Sequence, residues 1–595
     1  MKKFRINMHV VFGFVFIIIF ISLGFSQAKE PLSASSKLIK QIGDEYYEWL
    51  KKDNIELRMK LGLKIEQLPD MTEAFMKKRA ARANAILERL KQVRLEEINH
   101  DEFLSLDVLQ CRLRDIIEEH RFFWFFFPHP WYLNGVNNVF KAFVFKNDED
   151  TRHFLILMNQ YPVFIEQIHL NFKEQFARGF ILPRKYLDLL LPYLNRLIGN
   201  IDESPFGVKP ARLESLSKKS AQAFRDQLSK IIEKKVNPAL KSLVNYLEGE
   251  YRKKAPEAVG LSQYPGGKEY YASLVKYYTS LDLTPEEVHQ IGLKEVERLN
   301  ALIDKFQISM GFNGTRVEFK EMLKKDPRFY ARTQEEAVER LLAPIRRIEP
   351  KIDSYFIRKP KAPCTVKRLV PELEGTMTFG FFQEPSDADN TGYYFYNGSD
   401  LSKQSLLNAA DLIYHELIPG HHFQISIAFE NKDIPDFRRT ANDTAYLEGW
   451  AEYAASLAGE MGMYSDPYDY YGRIYFGDLF MSVRLVVDTG INELGWSLEK
   501  AEAFLRENTI LSDEQVHSEA LRYSVGMPGQ ALAYRIGFLK FYELREKARL
   551  ALENKFDIRC FNDAVLINGS LPLSTLEKHV DWFIKSEKTS KSASE

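Results

Sequence analysis

A proline within a histidine-rich stretch constrains the fold of this chain more than any other residue. The stretch covers residues 414–424, reads YHELIPGHHFQ, and holds three of the twelve histidines of the chain. His415 and Glu416 match the opening of H-E-x-x-H, in which two histidines four residues apart on a helix bind one metal ion. Pro419 stands where the second histidine would be. Because proline removes a helical hydrogen bond and clashes with the preceding turn, the helix must kink, bulge or restart there.

The second histidine ligand of such a site is either His421 or His422. In an uninterrupted helix each residue turns about 100 degrees, so His422 returns almost to the face of His415 while His421 points away. A two-residue bulge at the proline would instead bring His421 to the usual position. The spacing leaves both histidines open as ligands. The unused histidine, and Gln424 nearby, are candidates for hydrogen bonds that support the ligands or contact substrate.

A second helix supplies the third ligand candidate, Glu448, at the start of the sequence EGWAEY. Glu452 follows one turn later on the same face, which suits a carboxylate that orients a ligand histidine. Two imidazoles and one carboxylate suit zinc best among the common ions. Glu416 is then the predicted general base for a water that the metal activates.

Residues 517–534 hold the candidates for contacts to substrate and to the oxyanion that hydrolysis creates. Tyr523 and Tyr534 are candidate oxyanion donors. Arg522 is a candidate for bidentate binding of a substrate carboxylate, and His517 is a further candidate substrate contact. Tyrosine and arginine side chains also often cap helices or cover apolar surface, which is the structural alternative for each of these residues.

A change of periodicity between residues 361 and 397 predicts a small antiparallel β-sheet just before the histidine-rich helix. Residues 365–370 and 393–397 have the pattern of strands, with a turn at 385–390. An edge strand in this place can bind an extended peptide through main-chain hydrogen bonds. Tyr394 and Asn397 are therefore candidate substrate contacts.

The rest of the chain is mainly helical in pattern. Apolar residues recur at helical spacing in residues 71–94 and 215–246. Proline, glycine and serine concentrate in residues 255–267, which predicts a boundary between an N-terminal helical region, 29–260, and a catalytic region, 261–595. Both regions are expected to form one cleft.

The first 28 residues are typical of a signal peptide. Lys2, Lys3 and Arg5 precede an apolar run at residues 10–25, and small residues follow up to a cleavage point after Ala28. An uncleaved membrane anchor is the alternative, because the apolar run is near the lower limit for a span. We expect an exported protein, periplasmic or secreted, with no stable membrane span after cleavage.

Composition and missing motifs exclude several function classes. The formal net charge of −1 argues against a nucleic-acid partner bound by phosphate neutralisation. A glycine-rich phosphate loop and a G-x-S-x-G nucleophile motif are both missing, which disfavours nucleotide-dependent and serine-hydrolase chemistry. Three widely separated cysteines do not form a disulfide framework.

The chain resembles the DUF885 family, exported or lipoprotein-like bacterial proteins of unassigned function. These look like distant relatives of the neurolysin, angiotensin-converting enzyme and M32 carboxypeptidase metallopeptidases. The resemblance is carried by HELIPGHHFQ from residue 415, EGWAEY from 448, RY at 522, PGQALAY from 528, and TPEEVH from 284. It implies a mainly α, multi-helical neurolysin-like fold with a deep cleft, a zinc ion, and peptide-bond hydrolysis with a tyrosine as oxyanion donor.

The sequence thus predicts an exported zinc metallopeptidase with Glu416 as general base. The broken spacing at Pro419 motivates an alternative, a non-catalytic peptide- or metal-binding protein on a degenerate peptidase scaffold. A third, weaker hypothesis is zinc-dependent hydrolysis of a non-peptide amide or ester.

Overall fold

The computed structural model describes residues 32–369, 374, 380–386 and 389–590. The predicted signal peptide, residues 1–28, lies outside the described residues. Helices make up most of the described chain, so the predicted mainly α class is confirmed. Across these residues, no helix combines the length and apolar character needed to cross a membrane. All three cysteines lie in the described part, and none forms a disulfide.

The first ten helices precede the predicted boundary at residue 260. They are α1 Ala34–Asp53, α2 Ile55–Lys60, α3 Glu73–Leu90, α4 His100–Arg121, α5 Pro130–Lys141, α6 Asp148–Ala177, α7 Arg184–Arg196, α8 Lys218–Ile231, α9 Asn237–Tyr246 and α10 Arg252–Lys254.

Fifteen more helices are described after that boundary. They are α11 Gly267–Thr279, α12 Pro285–Ser309, α13 Arg316–Lys325, α14 Gln334–Ile348, α15 Ala409–Glu416, α16 His421–Glu430, α17 Asp436–Arg439, α18 Thr444–Glu460, α19 Pro467–Gly472, α20 Phe480–Asn492, α21 Leu498–Asn508, α22 Asp513–Leu521, α23 Leu532–Leu552, α24 Ile558–Leu566 and α25 Leu573–Ser590.

Local sequence signals fix where several helices begin. At the start of α12, the side chain of Thr284 accepts a hydrogen bond from the backbone N–H of Glu287 at 3.2 Å. The Glu287 carboxylate accepts one in return from the Thr284 N–H at 2.8 Å, which completes a capping box. Pro285 occupies the first helical position, where its missing N–H costs nothing.

The small sheet lies where the sequence predicts it, but it is mixed and not antiparallel. Its strands are β1 Cys364–Arg368, β2 Phe381–Gln383 and β3 Gly392–Tyr396, in the order β1-β3-β2. The two predicted strands, β1 and β3, pair in parallel, and β2 pairs antiparallel with the other edge of β3. The sequence did not reveal β2, because three residues are too few to show a strand's alternation.

The sheet packs beside the histidine-rich helix, as predicted. Val366 of β1 and Tyr394 of β3 share an apolar core with Leu341 of α14 and Ile413 of α15. This packing fixes one face of α15 against the sheet.

Apolar cores cross the predicted boundary at residue 260. Tyr46 of α1 lies in one core with Trp450 of α18 and Leu576 of α25. Leu187 of α7 lies in another with Ile536 of α23. Helices from both sides of the boundary therefore pack together, and the division into two regions stays a prediction.

A cavity of about 2880 Å³ opens among these helices. Residues of α1–α5 and α11 line it, as do residues of β2, β3, α15, α18 and α23. Its volume is roughly three times the upper end of the ~300–1,000 Å³ found for small-molecule pockets. The family resemblance implies a deep cleft, and this cavity is the feature of the structure that corresponds to it.

Candidate metal centre

The histidine-rich stretch forms two helices that meet at Pro419 and Gly420. Helix α15 ends at Glu416, and α16 begins at His421. A Cβ atom on Gly420 would lie 1.7 Å from the carbonyl oxygen of His415, so only glycine fits at this close approach.

A contact from helix α18 holds this break in place. The indole Nε1 of Trp450, on α18, donates a hydrogen bond to the carbonyl of Pro419 at 3.0 Å. Trp450 is completely buried. The break is thus part of the packed interior and fixes the direction in which α16 leaves.

His415, His421 and Glu448 come together at this junction. The Nε2 atom of His421 lies 3.3 Å from Oε2 of Glu448, and Nε2 of His415 lies 3.6 Å from the same oxygen. The three potential ligand atoms all lie within 4.8 Å of one another. Tetrahedral zinc at ligand distances of about 2.0–2.1 Å has ligands about 3.3 Å apart. The donor set, two imidazoles and a carboxylate, therefore fits zinc in both type and spacing.

His422 does not join this group. Its Nε2 lies 2.9 Å from the carbonyl oxygen of Ala362, and its ring is buried against Gly392 of β3. Burial lowers the pKa of His422 to about 4, so the ring is neutral near pH 7. His422 anchors α16 to the sheet. Gln424 is also buried, and its Oε1 has no hydrogen-bond partner among the described residues.

Behind His415 lies a buried chain of ion pairs. Nδ1 of His415 lies 3.1 Å from Oε1 of Glu452, the contact expected of a carboxylate that orients a ligand histidine. The other oxygen of Glu452 accepts a hydrogen bond from Arg473 at 2.8 Å. Arg473 also donates to Asp411 at 3.0 Å, one turn before His415 on α15. The arginine thereby ties α15 to α18.

The charges at the junction shift the pKa values of its members. Burial would lower the pKa of His415, but hydrogen bonds to Glu448 and Glu452 outweigh it and raise that pKa well above the ordinary value. Burial would raise the pKa of Glu448, yet its bonds to His415 and His421 hold it well below the usual range. The imidazole of His415 and the carboxylate of Glu448 thus favour each other's charged form.

Glu416 lies in the cavity wall next to these groups. Burial raises the pKa of its carboxyl, while the charges of His415 and His421 lower it in part. Its carboxylate makes no hydrogen bond within the described part of the chain, so it is free to accept one from a water. Burial and then the charge of Glu416 raise the pKa of Tyr394, which also lines the cavity.

The two candidate oxyanion donors differ in their surroundings. Tyr534 lines the cavity, and its ring lies nearly parallel to that of His415 with the centroids 6.4 Å apart. Tyr523 is completely buried; its hydroxyl donates to Glu519 and accepts from Nε of Arg484 at 3.0 Å. Of the two tyrosines, only Tyr534 lines the cavity.

The remaining candidate substrate contacts also differ in whether they line the cavity. Arg522 lines the cavity and donates to Oε1 of Gln530 at 2.6 Å. Asn397 also lines it, but its amide donates to the carbonyl of Glu374 at 2.9 Å, which stabilises the chain after β3. His517 is exposed and pairs with a neighbouring glutamate, Glu502, at 2.6 Å.

Comparison with known families agrees with the motifs. A family model described as bacterial protein of unknown function, DUF885, matches residues 56–580. The chain belongs to this family. Comparison with curated proteins gives no match.

Two solved structures are similar to this DUF885 member over nearly its whole length. One, from Colwellia psychrerythraea and designated a lipoprotein, has a TM-score of 0.87 at 26% identity, covering 93% of this chain and 99% of that one. The other, from Shewanella oneidensis, is designated a lipoprotein of unknown function. It has a TM-score of 0.68 at 19% identity, covering 91% and 99%, and shows the shared fold alone.

Sequence reasoning about this DUF885 member missed several polar residues of the site. Asp411 lies four residues before His415, and that helical spacing is a usable signal. Arg473 and Arg484 gave none, because the glutamates that they contact, Glu452 and Glu519, lie 21 and 35 residues away along the chain. Long-range ion pairs of this kind become visible only in the folded structure.

Proposed function

We propose that this protein is an exported zinc-dependent metallopeptidase that hydrolyses peptides within its cavity. The observation that carries the proposal is the approach of His415, His421 and Glu448, whose ligand atoms lie within 4.8 Å of one another in the cavity wall. Glu416, whose carboxylate has no hydrogen-bond partner among the described residues, adjoins them.

Each residue has a role that follows from its contacts. His415, His421 and Glu448 would hold the zinc, which would supply the Lewis acidity for the reaction. Glu416 accepts the proton of the attacking water and passes it to the leaving amine. Burial raises its pKa, which brings the carboxylate closer to the basicity that this transfer needs near neutral pH. Tyr534 donates a hydrogen bond to the oxyanion.

The groups around the ligands keep them in place. Glu452 accepts from Nδ1 of His415, which leaves Nε2 as the nitrogen that faces the other ligands. Arg473, completely enclosed, keeps Glu452 ionised and oriented. Strand β2 is an edge of the sheet and its residues line the cavity, so an extended peptide can add to it through main-chain hydrogen bonds.

Two observations support export of the protein. The N-terminal residues have the charge and apolar pattern of a signal peptide. The similar solved structures come from proteins designated lipoproteins.

Metal analysis combined with digestion of a peptide library tests the proposal. We expect about one zinc per chain and cleavage of library peptides that stops when a chelator removes the metal. Stoichiometric zinc without cleavage of any peptide would contradict the proposal and favour the non-catalytic binding protein.

A further inference from the structure

Large aromatic side chains line another part of the same cavity. Five aromatic residues are highly exposed among the described residues, and three of them, Phe126, Trp131 and Tyr277, line the cavity. The other two, Tyr542 and Trp582, do not. Folding usually buries such side chains, so exposed ones gathered at a single concave surface mark a binding site.

Trp131 is the most exposed of the five, at 61% of its surface. It lies in the first turn of α5, after Pro130. Within the described chain its indole stacks on no other ring and on no cation. Much of its ring is therefore available to a ligand. Trp and Tyr are the residue types that contribute most to binding at such surfaces.

Contacts among residues 126–132 fix the position of the chain around Trp131. Phe126 packs edge to face on Tyr132 with the ring centroids 5.3 Å apart. The ring of His129 caps α5 by accepting the backbone N–H of Tyr132 at 3.2 Å. Phe127 is buried in the core directly beside Phe126. Of these two neighbours, Phe127 thus belongs to the core and Phe126 to the cavity wall.

We propose that Trp131, together with the nearby Phe126, forms a subsite for an aromatic or large aliphatic side chain of a peptide substrate, away from the cleaved bond. This inference rests on the proposed function for its choice of a peptide. The cavity that holds the subsite is continuous with the metal centre and is several times larger than a small-molecule pocket. One extended peptide can therefore occupy both places at once.

Binding of a phenylalanine-scan peptide set tests the subsite. One phenylalanine is moved along a ten-residue alanine–serine background, and affinities are measured by calorimetry with zinc-loaded E416Q protein, which removes turnover. At one or two positions the phenylalanine should raise affinity by about tenfold over the background peptide. In W131A this preference should fall to about threefold or less, and W131F should restore part of it.

W582A is the matched control, because Trp582 is 45% exposed but stacks on His100 outside the cavity. It should keep the full preference. A preference that W131A leaves unchanged, or the absence of any positional preference, would overturn the subsite. Since binding is measured without turnover, a protein that binds these peptides but never cleaves them would refute the proposed peptidase and leave the subsite standing.

Discussion

His415 and His421 are six residues apart in the sequence, yet their imidazole rings pack edge to face with centroids 4.8 Å apart. In a continuous helix residues six apart point well away from each other. Here one helix ends at Glu416, and a second begins after Gly420. The break between the helices therefore brings two histidines together, as the four-residue spacing does in H-E-x-x-H.

The identity of the second histidine gives the first prediction. H421A should weaken zinc binding by more than about a hundredfold, because one of three protein ligands is lost. H422A should keep the affinity for zinc and lose about 1–3 kcal/mol of unfolding free energy, because its buried bond to the carbonyl of Ala362 is removed. Zinc competition titrations and thermal unfolding check both. Loss of zinc in H422A with retention in H421A would reverse the assignment.

The support behind His415 gives the second prediction. E452Q should weaken zinc binding by about 10–100-fold, because the amide orients the imidazole less strongly than a carboxylate does. E460Q on the same helix is the control, since the Glu460 carboxylate pairs with Arg545 at 2.9 Å, away from the three ligands, and is 45% exposed. A titration in which both variants bind zinc as the wild type does would argue against the role of Glu452.

The charges at the metal-free site predict a pH dependence. Because the pKa of His415 lies well above its ordinary value, the ring carries a proton at pH 7 that zinc must displace. Protons therefore compete with zinc, and affinity should rise by about tenfold per pH unit from about pH 5.5 to about pH 7.5. Titrations in two buffers of different ionisation enthalpy should show about one proton released per zinc. An affinity that does not change with pH would refute this.

The two tyrosines should behave differently. Y534F should lower kcat for peptide hydrolysis by about 10²–10³-fold with little change in zinc binding, because it removes an oxyanion donor. Y523F should keep kcat within about threefold, because the Tyr523 hydroxyl is bound to Glu519 and Arg484, and should cost about 1–2 kcal/mol of stability. Steady-state kinetics with one peptide checks both. Equal loss of kcat in the two variants would remove Tyr534 as the donor.

Local signals predicted the elements of the fold well. Helical periodicity in residues 71–94 and 215–246 predicted helices that the structure contains, and the mainly α class is confirmed. The sheet was predicted in its place, but the direction of its strands was wrong. Strand β2 has three residues, and its pairing with β3 depends on contacts between distant parts of the chain.

The site divides between what spacing decides and what tertiary contacts decide. The helical positions of His415, Glu416 and Glu448 follow from the sequence. The choice between His421 and His422 does not, because the direction of α16 depends on a contact from Trp450 to the break. Trp450 and Pro419 are 31 residues apart, so local spacing cannot predict that contact.

Hydrolysis by zinc-loaded E416Q protein, measured beside its metal content, tests the central claim most directly. The glutamine is nearly isosteric and lies next to the three ligands, so the variant should bind about one zinc per chain. It should lose at least about 10³-fold in kcat for a peptide that the wild type cleaves, because no general base remains. E416Q protein that binds zinc and cleaves the peptide at the wild-type rate would contradict the proposed mechanism.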